Sequence, residues 1–319
     1  ERVYPDTEEA DFDETNDPDP LRRRLLETGF RWMPLPAEYA HLVSGVAVAS
    51  REGRPSLAFG HRIQGGRWYY FPGTILLKTP PPVLLLVVAS IAGAVAMPFA
   101  SRKANASDKS PSHRLTVSPS HPHRLAVFLL FVAVYMAMAM RSNLNLGHRH
   151  LLPVFGPVAV CMGGVAGWWI RRWPKAVGVV VAGCALWLGV ITISIYPDYL
   201  SYFNVFAGGP EGGYRYYVDS NLDWGQDLPA LARYQKEHNL GPVRLHYWGT
   251  ASPEAWGIET APKEPGERYE PKKGVYVVSA TLLQGVGNAA PGVKPPFGFL
   301  KTREPEAVLG GSLFVYKVE

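Results

Sequence analysis

Cysteine is almost absent from this 319-residue chain, which has only Cys161 and Cys184. Both lie inside apolar runs, so no disulfide framework is expected and the thiols read as inert groups in lipid. A basic stripe or basic helix is also missing. The formal net charge is +5, but the Lys and Arg residues sit in short clusters beside apolar segments. That arrangement excludes the electrostatic footprint of a nucleic-acid binder and fits a membrane protein. The acidic, Pro-rich opening lacks the pattern of a signal peptide. The longest apolar runs contain no acid or base, which leaves a transporter without an ion relay. The chain starts at Glu1 rather than Met, so it reads as an excised fragment or a truncated gene model.

What is present divides into two materials. One part is dense in Leu, Val, Ala and Gly, and the other is rich in Pro, Tyr and charge. Four apolar segments, Pro82–Phe99, Leu125–Met140, Leu151–Ile170 and Ala176–Tyr196, approach the roughly 20 residues that a bilayer-crossing helix needs. Small residues in "CMGGVAGWW" and "VVVAGCALWLG" are expected to let the helices approach closely. Orientation follows from the cations. Arg102, Lys103, Lys109, Arg114 and Arg124 follow the first segment, and Arg171, Arg172 and Lys175 separate the third from the fourth. Both loops are therefore assigned to the cytoplasm, and the sequon Asn105-Ala-Ser107 in the first of them reads as chance. The "RSNLNLGHRH" loop and everything after Tyr196 fall outside. The aromatic run "RWYYFPG" and the pair Trp168 and Trp169 fit interfacial belts at opposite faces.

The expected fold is thus a membrane α-helical bundle of about four spans followed by a small extracytoplasmic α/β domain. Residues 1–34 read as an acidic, disordered or loop segment, and 35–80 as an extracytoplasmic loop and interfacial segment. The bundle covers 81–196 and the α/β domain 197–319. Within that domain "GPVRLHYWG", "GVYVVSATL" and "SLFVYKV" predict strands. "DLPALARYQKEHNL" predicts an amphipathic helix with Leu228, Leu231 and Tyr234 on one face. With almost no linker after the last span, the domain is expected to cap the bundle.

The stretch "VDSNLDWGQD" places Asp219, Asn221, Asp223 and Asp227 close together beside a glycine, as a calcium loop would. Such a loop needs glycine at its sixth position and a bidentate Glu at its twelfth. Counted from Asp219, those positions hold Trp224 and Ala230, and both requirements fail. Asp227 instead stands where it would cap the following helix.

Three stretches point to a family: "GGRWYYFPGTILLKTPPPVLLL", "GHRHLLPVFGPVAV" and "YPDYLSYFNVFAGGPEGGYRYYVDSNLDWGQDLPALARY". In order and wording they resemble the carboxy-terminal half of bacterial membrane glycosyltransferases of the family 39 type. These are relatives of protein O-mannosyltransferases and aminoarabinose transferases with the GT-C fold. The resemblance implies an enzyme of the bacterial inner membrane that moves a sugar from a polyprenyl-phosphate carrier to an extracytoplasmic acceptor. The family's catalytic carboxylates lie after its first membrane helix, upstream of this chain. No catalytic residue is therefore assigned, and the chain alone is expected to be inactive.

For a lipid-linked donor the candidate phosphate contacts are Lys78, Arg149 and His148, each beside an apolar segment on the outer face. A charged group there meets a phosphate in a weaker dielectric than water, and Arg offers a planar fork. Snorkelling or interface anchoring is the structural alternative for these cations. Trp68, Tyr69 and Tyr70 are candidates for stacking on sugar or prenyl chain. Asp219, Asn221, Asp223 and Gln226 offer hydrogen bonds to sugar hydroxyls, against domain-internal bonds as the alternative. No cofactor is firmly implied: a divalent metal stays open, but His148 and His150 without a third ligand do not make a zinc site. The partners expected are the lipid bilayer and the polyprenyl-phosphate sugar donor. The non-enzymatic alternative is a membrane-anchored scaffold that binds a glycan or envelope partner. The cation pattern makes one prediction about topology. A reporter fused after Glu319 should be active only as an extracytoplasmic enzyme, and activity of a strictly cytoplasmic reporter would reverse the orientation.

Overall fold

A computed structural model describes residues 46–48, 50–51, 53–105, 122–286 and 295–319. The expected acidic segment 1–34 and most of the basic loop after the first apolar segment, including Lys109 and Arg114, lie outside the described residues. Among the described residues the fold mixes helices with two small sheets. A hairpin of β1 (Pro55–Ala58) and β2 (His61–Gln64) leads into helices α1 (Tyr70–Lys78) and α2 (Pro81–Asn105). Helices α3 (Pro122–Arg141), α4 (Leu152–Ile170) and α5 (Pro174–Ser194) follow. Then come α6 (Leu228–Glu237) and the strands β3 (Arg244–His246), β4 (Gly274–Ser279), β5 (Ala307–Leu309) and β6 (Leu313–Val318).

Helices stand at all four expected apolar segments, but they do not all have the same reach. Two are long and apolar enough to cross a bilayer: His148–Ile170, which joins α4 to a preceding 3₁₀ turn, and Pro174–Ser194. Ala126–Arg141 is a shorter apolar helix, and Pro81–Ala96 passes only together with Tyr70–Lys78, to which it is bent by 115°. The expected close approach at small residues is not how α4 and α5 pack. A Cβ built on Gly163, Gly167, Gly183 or Gly189 would meet no neighbouring atom within 4 Å. The tight crossing lies elsewhere, at Gly93 of α2, where a Cβ would stand 2.6 Å from Trp169 Nε1 of α4.

The bend between α1 and α2 has a local cause. Pro80 disfavours helical backbone at the residue before it, and Thr79 is extended, with φ −84° and ψ 132°. The helix therefore stops, and its last carbonyls lose their partners in the chain. Asn204 replaces them. Its backbone N–H donates to Leu77 O at 2.9 Å, and its side-chain amide donates to Leu76 O and Thr79 O at 2.7 and 2.9 Å. The Asn204 Oδ1 in turn accepts from the Phe206 N–H at 3.0 Å. One buried amide thus ties the segment after α5 to the break before α2.

The main sheet has the order β3-β4-β6-β5. β3 runs parallel to β4, while β4 and β5 run antiparallel to β6. Opposite faces of this sheet serve two cores. Val277 and Val315, paired across β4 and β6, pack with Leu245, Leu313 and the α6 residues Leu228 and Leu231. Tyr276, Val278, Phe314 and Tyr316 face the other way, into a core shared with Tyr70, Phe71, Leu77, Leu151 and Leu222. A sheet buried on both faces accounts for the nearly unbroken apolar strands "VYVV" and "LFVY". Of these two cores, the one around α6 lies entirely within residues 197–319, and the other is shared with α1 and the hairpin.

The hairpin was not evident from the sequence pattern. Its two central residues, Phe59 and Gly60, have φ of 49° and 79°, as a two-residue turn of the I′ kind requires. Phe59 is held there by aromatic rings, among them Tyr217 at 5.6 Å. The "RSNLN" loop docks the hairpin: Asn145 donates to Ser56 Oγ and Gly65 O, each at 2.8 Å. The pinned break generates a stability prediction. Asn204→Ala leaves two helix-end carbonyls without donors and removes the acceptor for Phe206, a loss of about 2–4 kcal/mol. The apparent melting temperature in detergent should fall clearly, and Asn204→Asp, which keeps only the acceptor, should not restore it. An unchanged melting temperature in both variants would show that the contacts do not hold the junction.

Candidate functional site

The helix break, the turn before α4 and the "VDSNLDWGQD" segment meet at one place. Lys78 ends α1 beside the break. Its ammonium donates to Leu200 O at 2.8 Å and, through a short contact, to Asn221 O, and it lies 4.7 Å above the Phe203 ring. A cation at a helix carboxy terminus also interacts favourably with the helix dipole. Snorkelling to the membrane surface, the structural alternative weighed for Lys78, is not what the ammonium does. It bolts three chain segments together, with two of its three donors committed to carbonyls.

Asn221 extends the joint. It is buried, its Nδ2 donates to the Tyr70 hydroxyl at 2.8 Å, and its Oδ1 accepts from the His148 backbone N–H at 2.8 Å. Gly147 makes the approach feasible: its φ is 91°, and a Cβ there would lie 3.0 Å from Ser220 Cβ. Tyr70, a stacking candidate, is enclosed in the core with its hydroxyl engaged by Asn221. The His148 ring packs on Phe155 at 5.3 Å, and its Nδ1 is buried without a hydrogen-bond partner among the described residues. Lys78, Tyr70, His148 and Asn221 therefore form a joint whose groups are turned inward.

The outer side of the same joint is different. Arg149 is exposed, and its guanidinium lies 4.9 Å over the ring of Trp224, itself 44% exposed. Asp219 takes up a left-handed backbone with φ 57°, and its N–H donates to Thr281 Oγ1 at 2.9 Å. Burial raises the Asp219 carboxyl above the usual carboxylate range, while a hydrogen bond from Ser220 and the Arg149 charge oppose that rise. Gln226 is spent locally, accepting from Trp224 N at 2.8 Å and donating to Leu222 O at 3.0 Å. Trp68 is 65% exposed and edge-on to Tyr69, which packs towards Phe59. Trp224 escaped the sequence reading as a candidate; its sole signal was an aromatic residue set among acids.

Asp223 and Asp227 face the interior of the α/β layer. Asp223 accepts from the Thr281 and Gly225 N–H groups at 3.3 and 3.4 Å. Burial pushes its pKa up to about 6, against hydrogen bonds from Ser279 and Thr281. Asp227 stands at the start of α6 but makes no side-chain capping bond. Its carboxyl instead accepts from Ser312 Oγ at 2.5 Å and Gln226 Nε2 at 3.2 Å. The expected cap is absent, and the carboxylate is engaged by Ser312 and Gln226 instead. Deeper still, His246 Nε2 lies 3.0 Å from Glu267 Oε1, short of hydrogen-bond alignment. Burial, then the Arg268, Lys263 and Arg244 charges, push the His246 pKa down to about 3. The imidazole is neutral near pH 7, and Glu267 takes its ion pair from Arg244 at 2.8 Å. Among the described residues no group of three His, Cys, Asp or Glu side chains is arranged to hold a metal ion.

Comparisons with known protein families, with curated proteins and with solved structures find no match to this chain.

The buried acids predict a pH dependence. Burial, which outweighs the opposing Ser312 hydrogen bond, pushes the Asp227 pKa from its ordinary 3.8 up to about 7. The folded state then holds a proton that the unfolded state releases, so stability is lost as pH rises through that window. Relative to wild type, Asp227→Asn should gain stability between about pH 4 and about pH 7 and stay level above. Melting curves of both proteins across this range check it, and a difference that is flat throughout would remove Asp227 as the titrating group.

Proposed function

We propose that this chain is the carboxy-terminal part of an integral-membrane glycosyltransferase of the GT-C type, using a polyprenyl-phosphate sugar as donor. The chain would sit in a bacterial inner membrane with α2 to α5 as its spans and the α/β layer on the extracytoplasmic side. The observation that carries this reading is the exposed Arg149 laid on Trp224 at the 3₁₀ turn that leads into α4. A helix long and apolar enough to cross a bilayer begins there, so the guanidinium stands at the level where a lipid-linked phosphate would lie. Arg presents a planar fork to phosphate oxygens, and the indole beneath it keeps the fork oriented. Trp224 also offers an apolar face to a sugar ring. Lys78 supports this site by holding the three segments together, and His148 fixes the turn that carries Arg149.

The test is equilibrium binding of a polyprenyl phosphate to the chain in lipid nanodiscs. A charge-assisted phosphate contact contributes on the order of 1.5–3 kcal/mol, so Arg149→Gln should weaken binding roughly ten- to a hundredfold. Arg149→Lys should recover only part of that loss, because a point charge lacks the fork. Unchanged affinity in both variants would overturn the reading. Binding that persists in a longer protein without any sugar transfer would favour the scaffold alternative.

A further inference from the structure

The segment that follows α5 carries large apolar side chains that point away from every described core. Tyr196 is 73% exposed, Val205 73% and Phe206 61%, and Tyr199 and Leu76 beside them are about half exposed. An exposed apolar cluster of this kind marks an interaction surface. The display is rigid: Asn204 holds the Val205–Ala207 turn against the carbonyls at the end of α1, and the Gly209 N–H donates back to Asn204 O at 3.0 Å. The turn is also positioned against the ends of two helices. A groove of about 340 Å³ separates it from them, lined by Pro81 at the start of α2, Ile191 and Ile195 at the end of α5, and Val205 itself.

Position identifies what covers this tip. Tyr196 comes two residues after Ser194, the end of a helix long and apolar enough to cross a bilayer. A side chain that close to the helix end lies at the level of the lipid headgroups, where Tyr and Phe are favoured. We infer that Val205 and Phe206, flanked by Tyr196 and Tyr199, dip into the bilayer interface and seat the α/β layer on the membrane surface. The partner is the headgroup and acyl boundary of the membrane's own lipids. This inference rests on α5 crossing the bilayer and is independent of the glycosyltransferase reading.

The test places an environment-sensitive NBD label at position 206 of the full chain. Phe206→Cys is made after Cys161→Ala and Cys184→Ala, with a control label at Lys317→Cys, an exposed residue of β6. The protein is reconstituted in phosphatidylethanolamine and phosphatidylglycerol liposomes and recovered by flotation, so that failure to insert is seen separately. The expected result is blue-shifted emission at position 206, quenched more strongly by a doxyl group near the headgroup than by one at the chain terminus. The control should show water-like emission. Water-like emission at position 206 would overturn the inference. Blue-shifted emission indifferent to both doxyl lipids would overturn it too, because it would place the tip against protein, from this chain or a second copy.

Discussion

Everything at the membrane end of this molecule depends on the interruption of a helix at Thr79-Pro80. A proline there removes helical backbone from the residue before it, so α1 ends while the chain is still apolar and turns by 115° into α2. Carbonyls exposed by such a break need donors, and in an apolar setting the cost of leaving them bare is high. Asn204 supplies those donors for Leu76, Leu77 and Thr79. Lys78, left at the same helix end, finds the carbonyls of Leu200 and Asn221. A local backbone constraint thus obliges two distant segments to come back to it.

The two-faced sheet extends this coupling. Val277 and Val315 answer to α6, whereas Tyr276 and Phe314 answer to the core around Tyr70 and Leu151. The α/β layer is therefore packed onto α1 and the entry to α4 through buried aromatic area, and burial of such rings dominates core energetics. Arg149 and Trp224 come from opposite sides of that packing, one from the turn before α4 and the other from the segment before α6.

The acids have been divided by burial. Asp223 and Asp227 are enclosed among Ser279, Thr281 and Ser312, which tie the segment after α5 to the ends of β4 and β6. Asp219 lies nearest Arg149 and is held in a left-handed turn that short polar side chains tolerate better than most. A run of alternating acids in the sequence is, in space, a set of inward hydrogen-bond acceptors with one member at the rim. That arrangement accounts for the motif without a cation.

Much of the scaffold was legible from the chain itself. Apolar runs free of charge marked all four helices from α2 to α5, because length and hydropathy are properties of contiguous residues. Short apolar runs rich in Val, Tyr and Leu marked β4 and β6, and period-3.6 spacing marked α6 through Leu228 and Leu231. The β1–β2 hairpin was missed, since its turn uses Phe59 where Asn or Asp would ordinarily announce it. β5, Ala307–Leu309, was missed as well. For the site, sequence alone supplied a set of candidates on one side of the apolar segments, Lys78, His148, Arg149, Tyr70 and Asn221 among them. Which of them turn inward was decided by tertiary packing: Lys78 lies 143 positions from the Asn221 carbonyl it binds, and Tyr70 lies 151 from the amide it accepts. Spacing along a chain encodes contacts within a helix or a strand. It says nothing of which distant carbonyl a buried ammonium will need, and that need arises only once water has been excluded.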